Sequence, residues 1–213
     1  MRLDREQIVA AALRLLDEVG VDGLTMRVLA DALKIQAPSL YWHFKNKQAL
    51  LEAMADALIA PVARAVPPGS WQEQVGHIAW DLRSALLSRR DGARVFAGTY
   101  SINDNVIRTS DMMIGFLLDA GAPHRLAAWG ALTITYFVLG FTIEEQAAAE
   151  PGGAEGVVLA ARRAEFTRFV GDRYPHTAAC IPDIFDGDQD ARFRLGLEMQ
   201  LAGLAALLPN SAS

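Results

Sequence analysis

The chain has 213 residues, 52% of them apolar and 21% charged, with a formal net charge of −5. That is enough apolar sequence for a sizeable core, and the acidic balance excludes binding to nucleic acid by bulk charge alone. A single cysteine, Cys180, excludes an internal disulfide.

The opening MRLDREQIV has no apolar core of the kind a signal peptide carries, which places the expected location in the cytoplasm. Asp4 and Gln7 form a capping-box pattern, and Ile8, Ala11, Ala12, Leu15, Leu16 and Val19 follow at helical spacing until Gly20, where the helix is expected to stop. Thr25 caps a second helix that turns Val28, Leu29, Ala32 and Leu33 inward. After a short connection, Lys34 to Ala37, Pro38 opens a third helix expected to reach Phe44. Asn46 caps a fourth, with Leu50, Leu51, Met54 and Leu58 inward and Pro61 ending it.

Pro67-Pro68-Gly69 is the clearest break, and divides the chain into a helix-turn-helix unit (1–47), a connecting helix (48–66) and a larger helical unit (67–213). Ser70 and Glu73 form a second capping box, before a helix that carries Val75, Ile78, Ala79, Leu82 and Leu86 to about Arg90-Asp91-Gly92. Further helices are expected over 93–100, 104–120, Pro123 to about Ala149, 155–172 and Asp190 to Leu208, with a loop from Pro151-Gly152-Gly153. The stretch Leu126 to Ile143 is uncharged, but Trp129, Thr133, Thr135, Tyr136 and Thr142 dilute it, so it is expected to be a buried helix and not a membrane span. There is no convincing strand and no repeat, and the predicted fold class is all-α.

The first 47 residues carry seven Lys/Arg and six Asp/Glu, a net charge of only +1, so any DNA contact must come from placement. Two helices joined by a short turn and packed on a preceding helix form a helix-turn-helix, whose second helix enters the major groove. With Leu40 and Phe44 facing the core, Ser39, Tyr41, Trp42 and His43 must point outward or sideways. Tyr41, His43 and Lys47 carry donors for phosphate, while Ala37, Pro38, Ser39 and Arg27 are placed for base edges. Trp42 has two readings: a groove-facing ring, or a structural ring packed on the first or fourth helix.

The segment "DGLTMRVLADALKIQAPSLYWHFKNKQALLEAM" resembles the DNA-binding segment of the TetR family of bacterial repressors. "LYWHFKNKQALL", "RRDGARVFAGT" and "YFVLGFTIEEQ" are similar to its tetracycline-repressor-like branch. The resemblance implies a homodimer that binds a palindromic double-stranded DNA operator and responds to a small-molecule effector. It also implies a four-helix bundle between subunits, built from the helix starting at Pro123 and the last helix. Gly196, Ala202, Gly203, Ala205 and Ala206 would allow close approach there, with Leu197, Leu201, Leu204, Leu207 and Leu208 adding apolar area.

By alignment with that branch, the effector site would contain Ile78, Leu82, Phe96, Thr99, Met113 and Glu144. Phe96 stands where the branch carries a magnesium-binding His, and Ile78, Leu82 and Met113 stand where it carries Asn, Phe and Gln. A phenyl ring cannot ligate magnesium, so no metal or cofactor is expected, and the effector should be more hydrophobic than a magnesium chelate. Glu144 is either an anchor for the ligand or a solvated helix end. The helices carrying Ile78, Leu82 and Phe96–Tyr100 are the expected relay to the DNA-binding unit. No nucleophile–base pair, carboxylate pair or phosphate loop is recognisable, so catalysis is not expected. Response by activation, or by a chain whose DNA binding is lost, is the alternative reading.

Overall fold

The computed structural model describes residues 4–99, 102–148, 155–185 and 188–209, and the described residues are helical with no strand. The head comprises α1 (Arg5–Gly23), α2 (Met26–Ala32) and α3 (Ala37–Tyr41), followed by α4 (Lys47–Leu58). The body comprises α5 (Trp71–Leu87), α6 (Gly92–Ala97), α7 (Asp104–Asp119), α8 (His124–Ala148), α9 (Glu155–Val170), α10 (Pro175–Ala179), α11 (Ile181–Phe185) and α12 (Gln189–Leu207). The expected loop at Pro151-Gly152-Gly153 lies outside the described residues.

Local chemistry accounts for the boundaries. Asp4 Oδ1 accepts from Gln7 N–H at 2.8 Å while Gln7 returns an acceptor to Asp4 N–H at 3.2 Å. Thr25 and Asn46 cap their helices one way, their side-chain oxygens accepting from the Val28 and Ala49 N–H groups. Gly20 adopts φ 68°, ψ 173°, so α1 is broken there, but a further turn continues to Gly23: the expected stop is a kink. The third helix is shorter than the sequence suggested, ending at Tyr41 with Trp42 as its C-cap. The chain must turn there so that Phe44, like Leu40, enters the core and Asn46 can extend to cap α4.

One continuous core joins head and body. Ile8, Leu16, Leu29, Leu40, Leu50 and Met54 fill the head, and Val75, Ile78, Leu86, Ile134, Val138 and Phe193 fill the body. α8 is long and apolar enough to cross a membrane by length and composition. Here, however, Ala127, Ala131, Ile134, Val138 and Thr142 pack inward, and α8 lies against α5, α6, α7 and α12. Around Phe193 the rings of Trp80, Phe137 and Phe141 form a cluster with centroids 4.7–5.3 Å from it.

The last helix differs from expectation in which face it buries. Leu197 and Leu204 are buried within their own subunit, and a Cβ on Gly196 would meet the Phe137 ring at 2.5 Å. Gly196 is therefore small for an intrachain contact. The exposed face is instead Leu195, Met199, Ala202, Gly203, Ala206 and Leu207.

Candidate nucleic-acid interface and effector cavity

The head presents a short outward face. Arg27, Pro38, Ser39, Tyr41 and Trp42 are exposed and Ala37 and His43 are half-buried. Trp42 is 90% exposed and Tyr41 is 52% exposed, which removes the structural reading of the Trp42 ring. A side chain of that size left in water just past a five-residue helix has no packing role in the isolated chain. The face is held from behind: Arg5 NH1 donates to the His43 carbonyl at 3.0 Å, and its guanidinium lies 4.3 Å from the Phe44 ring centroid. Lys47 differs from the expected open phosphate contact. It is half-buried, and its Nζ donates to the Val21 carbonyl at 3.0 Å, so one of its ammonium donors caps the end of α1.

In the body, Phe96, Ala97 and Thr99 from α6 and its end, Ile102 and Val106, and Leu132, Thr135, Tyr136 and Leu139 from α8 line a cavity of about 730 Å³. Its volume falls in the range of small-molecule sites. No lining side chain is a carboxylate or an imidazole. The Thr99 and Thr135 hydroxyls donate to the Phe96 and Ala131 carbonyls, at 2.8 and 2.9 Å, which spends their protons on the backbone.

Of the six expected effector residues the structure brings Phe96 and Thr99 to this wall. Ile78, Leu82 and Met113 are buried in the core, among its packed side chains, and do not line this cavity. Glu144 is exposed and also stands away from it. Its neighbour Glu145 is the half-buried acid, paired with Arg83 at 2.7 Å. Leu132, Thr135, Tyr136 and Leu139 were missed. They recur at i, i+3, i+4 and i+7 on α8, a stripe that could have been found but is indistinguishable in sequence from a core face. Among the described residues no group of three His, Cys, Asp or Glu side chains is placed to hold a metal ion. A magnesium ion, with its demand for oxygen ligands, does not fit a wall built around Phe96.

α4 joins the two regions. Its flank meets α6, where Gln48 Nε2 donates to the Gly98 carbonyl at 3.1 Å. Asp56 accepts from the backbone N–H groups of Asn105 and Val106 at the start of α7, at 2.9 and 3.2 Å. Arg108 of α7 caps the carbonyls of Val62, Ala63 and Ala60 beyond the end of α4. Of the two helices expected to relay, α6 meets α4 directly, whereas these contacts of α4 do not include α5, which carries Ile78 and Leu82; Tyr100 lies outside the described residues.

The profile described as "Bacterial regulatory proteins, tetR family" matches residues 8–54, and that described as "Tetracyclin repressor-like, C-terminal domain" matches residues 65–208. The tetracycline repressor protein class A from transposon 1721 of Escherichia coli is 39% identical over 207 residues, covering 96% of this chain and 91% of the relative. A possible TetR family transcriptional regulator from Streptomyces coelicolor A3(2) shares the fold with a TM-score of 0.83 at 42% identity, covering 96% of this chain and all of that one. The Streptomyces coelicolor protein ActR, in complex with actinorhodin, gives a TM-score of 0.85 at 33% identity over 97% of this chain and 98% of its own. This chain belongs to the tetR family of bacterial regulatory proteins, a family of ligand-responsive, DNA-binding regulators of transcription.

Proposed function

We propose that the chain works as a homodimeric repressor that holds a near-palindromic operator in its ligand-free form and leaves it when a neutral, hydrophobic effector fills the cavity between α6 and α8. The observation that carries this reading is the double role of α6: one end lines the cavity, and the same end meets α4 below the head. An effector that binds better to a conformer with displaced heads shifts the population away from DNA, and operator binding must weaken effector binding by the same factor.

The outward set Arg27, Ala37, Pro38, Ser39, Tyr41, Trp42 and His43 would face the groove, with phosphates met by Tyr41 and His43 and base edges by Arg27 and Ser39. Two such faces on a dimer would sit about 34 Å apart along the duplex. The boundaries 1–47, 48–66 and 67–213 fit this division of labour, with α4 as the connecting helix. The chain would act in the cytoplasm, and catalysis has no part in this reading.

The cavity supports a polycyclic effector on two grounds. Its wall is mostly apolar with no formal charge, and the related ActR is solved with actinorhodin. The experiment is an operator titration. A duplex selected from a random pool by the wild-type protein is bound, then challenged with neutral polycyclic compounds and with magnesium–tetracycline. The neutral set should release the duplex, and Leu132→Trp, which narrows the cavity, should weaken that release while keeping affinity for the duplex. Release by magnesium–tetracycline alone would refute the hydrophobic effector.

A further inference from the structure

α6 and the turn leading into it also grip the far end of α1. Asp91 occupies the N-cap position of α6, yet its side chain makes no capping bond to that helix. Its Oδ2 instead accepts from the Val21 N–H at 2.9 Å, across 70 residues of sequence. That N–H is free because Gly20, at φ 68°, breaks α1 just before it. Asp91 itself sits at φ 56°, a left-handed conformation that costs a non-glycine residue energy and persists where its surroundings over-determine it.

Three arginines flank the pin. Arg94 NH2 donates to both oxygens of Asp22, at 3.2 and 3.1 Å, and its NH1 reaches Asp91 Oδ1 at 3.3 Å. Arg89 NH1 donates to Asp17 at 2.6 Å, the Arg90 backbone N–H donates to the same carboxylate at 3.0 Å, and Arg90 NH1 donates to the Glu18 carbonyl at 3.1 Å. Basic residues of the body thus face an acidic end of α1. The arginine pairs are well exposed and individually worth little. The Asp91 carboxylate is only 19% exposed and serves a backbone donor with no helical partner, so it dominates the contact.

We infer that Asp91, with Arg94 beside it, is the positioning residue that fixes the DNA-reading head on the body and carries movement of the cavity wall to it. α6 cannot displace Phe96 and Thr99 as a rigid turn without displacing the carboxylate that holds Val21. The contact to α1 is a second route, in parallel with that through α4, and it rests on the reading of the α6–α8 cavity as the effector site.

The test uses the full-length protein, an operator selected by the wild type, and Nile red as a neutral polycyclic probe of the cavity. Asp91→Gly removes the carboxylate without backbone strain, and Asp91→Asn keeps an acceptor oxygen. Amide exchange at Val21 and in α2 and α3 should quicken roughly tenfold in Asp91→Gly while α5 and α8 keep their rates. The ratio of operator Kd with and without Nile red should fall at least about threefold from its wild-type value, and Asp91→Asn should recover most of both effects. A merely structural role would change the active fraction and not this ratio. Unchanged head exchange, or faster exchange with an unchanged ratio, overturns the inference. If Nile red does not alter operator binding by the wild type, the effector reading of the cavity fails. The exchange arm then decides the pin alone: faster exchange at Val21 and the head supports it, and unchanged exchange sinks it.

Discussion

Arg83 and Glu145 meet through two parallel hydrogen bonds, Nε to Oε2 at 2.9 Å and NH2 to Oε1 at 2.7 Å, inside the body. NH1 of the same guanidinium donates to Asp190 at 2.7 Å, so one buried cation ties α5 to α8 and α12. Arg83 is 4% exposed and lies 4.9 Å from the Phe193 ring centroid and 5.2 Å from that of Trp80. The hydrogen bond with Glu145 raises its pKa above the ordinary arginine value, against the opposing effect of desolvation. A raised folded-state pKa contributes fully below the unfolded value and is lost only as pH climbs past the folded one, so this tie is constant across the neutral range.

Glu145→Ala removes the two parallel bonds and leaves the buried cation with the well-exposed Asp190 as its carboxylate partner. The loss should be about 3 kcal/mol, which for a chain of this size lowers Tm by roughly 6–12 °C. The double variant Arg83→Met, Glu145→Ala should lose less than the single, because no buried cation is left with two of its three side-chain acceptor bonds missing. Calorimetry of the three proteins checks the order, and a double variant less stable than Glu145→Ala would contradict it.

Glu73 supplies a pH test of the α5 cap. Its carboxylate accepts from the Ser70 N–H at 2.7 Å and the Ser70 hydroxyl at 2.8 Å, and the backbone bond chiefly holds its pKa below the usual carboxylate value. A depressed folded-state pKa contributes stability above the unfolded value and loses it as pH falls through the folded one. Urea midpoints of the wild type should therefore drop more steeply than those of Glu73→Gln below about pH 4. Parallel curves down to pH 3 would show that the box contributes nothing.

What the sequence revealed depended on how local each signal was. The caps at Asp4, Thr25, Asn46 and Ser70 are written within four residues, and all four make the bonds their spacing implied. Leu40 and Phe44 were assigned to the core by spacing alone, and both are buried. The cavity wall was harder. On α8 and on α5 an apolar stripe can face either packed side chains or an empty volume, and periodicity has the same form in both cases. Ile78 and Leu82 were therefore placed by alignment with relatives, while the stripe Leu132, Thr135, Tyr136 and Leu139 passed as ordinary helix. The Asp91–Val21 bond spans 70 residues and depends on a left-handed backbone at each end, for which the sequence carries only Gly20 as a hint.

Trp42 separates DNA binding from folding more cleanly than any neighbour. Because the ring is 90% exposed, Trp42→Ala should leave Tm within about 2 °C of the wild type. The same change should weaken operator binding roughly tenfold, through lost contact area on the groove-facing surface. Tyr41→Phe should cost less, on the order of 1 kcal/mol, by removing one donor to phosphate and weakening all duplexes alike. A Trp42→Ala protein with wild-type affinity would place the DNA surface elsewhere on the head.

The exposed stripe of α12 sets the last prediction. Leu195, Met199 and Leu207 are 60%, 67% and 66% exposed and share a face with Ala202, Gly203 and Ala206. On α8 the outward positions Trp129, Thr133 and Gly140 follow the same helical spacing, with Tyr136 of the cavity wall at the edge of that face. An apolar stripe with small residues between its large ones suits a second helix at close range, and two copies of an α8–α12 pair make a four-helix bundle. Met199→Lys would set a charge, and its copy, in the middle of that seam, where each must be desolvated against a like charge. Sedimentation should then show monomers at micromolar concentration, and Tm should lose its dependence on protein concentration. Operator affinity should fall at least a hundredfold, since a single head offers half the contacts, while helix content stays unchanged. A Met199→Lys protein that sediments as a dimer would move the subunit contact off this face and leave the stripe without a partner.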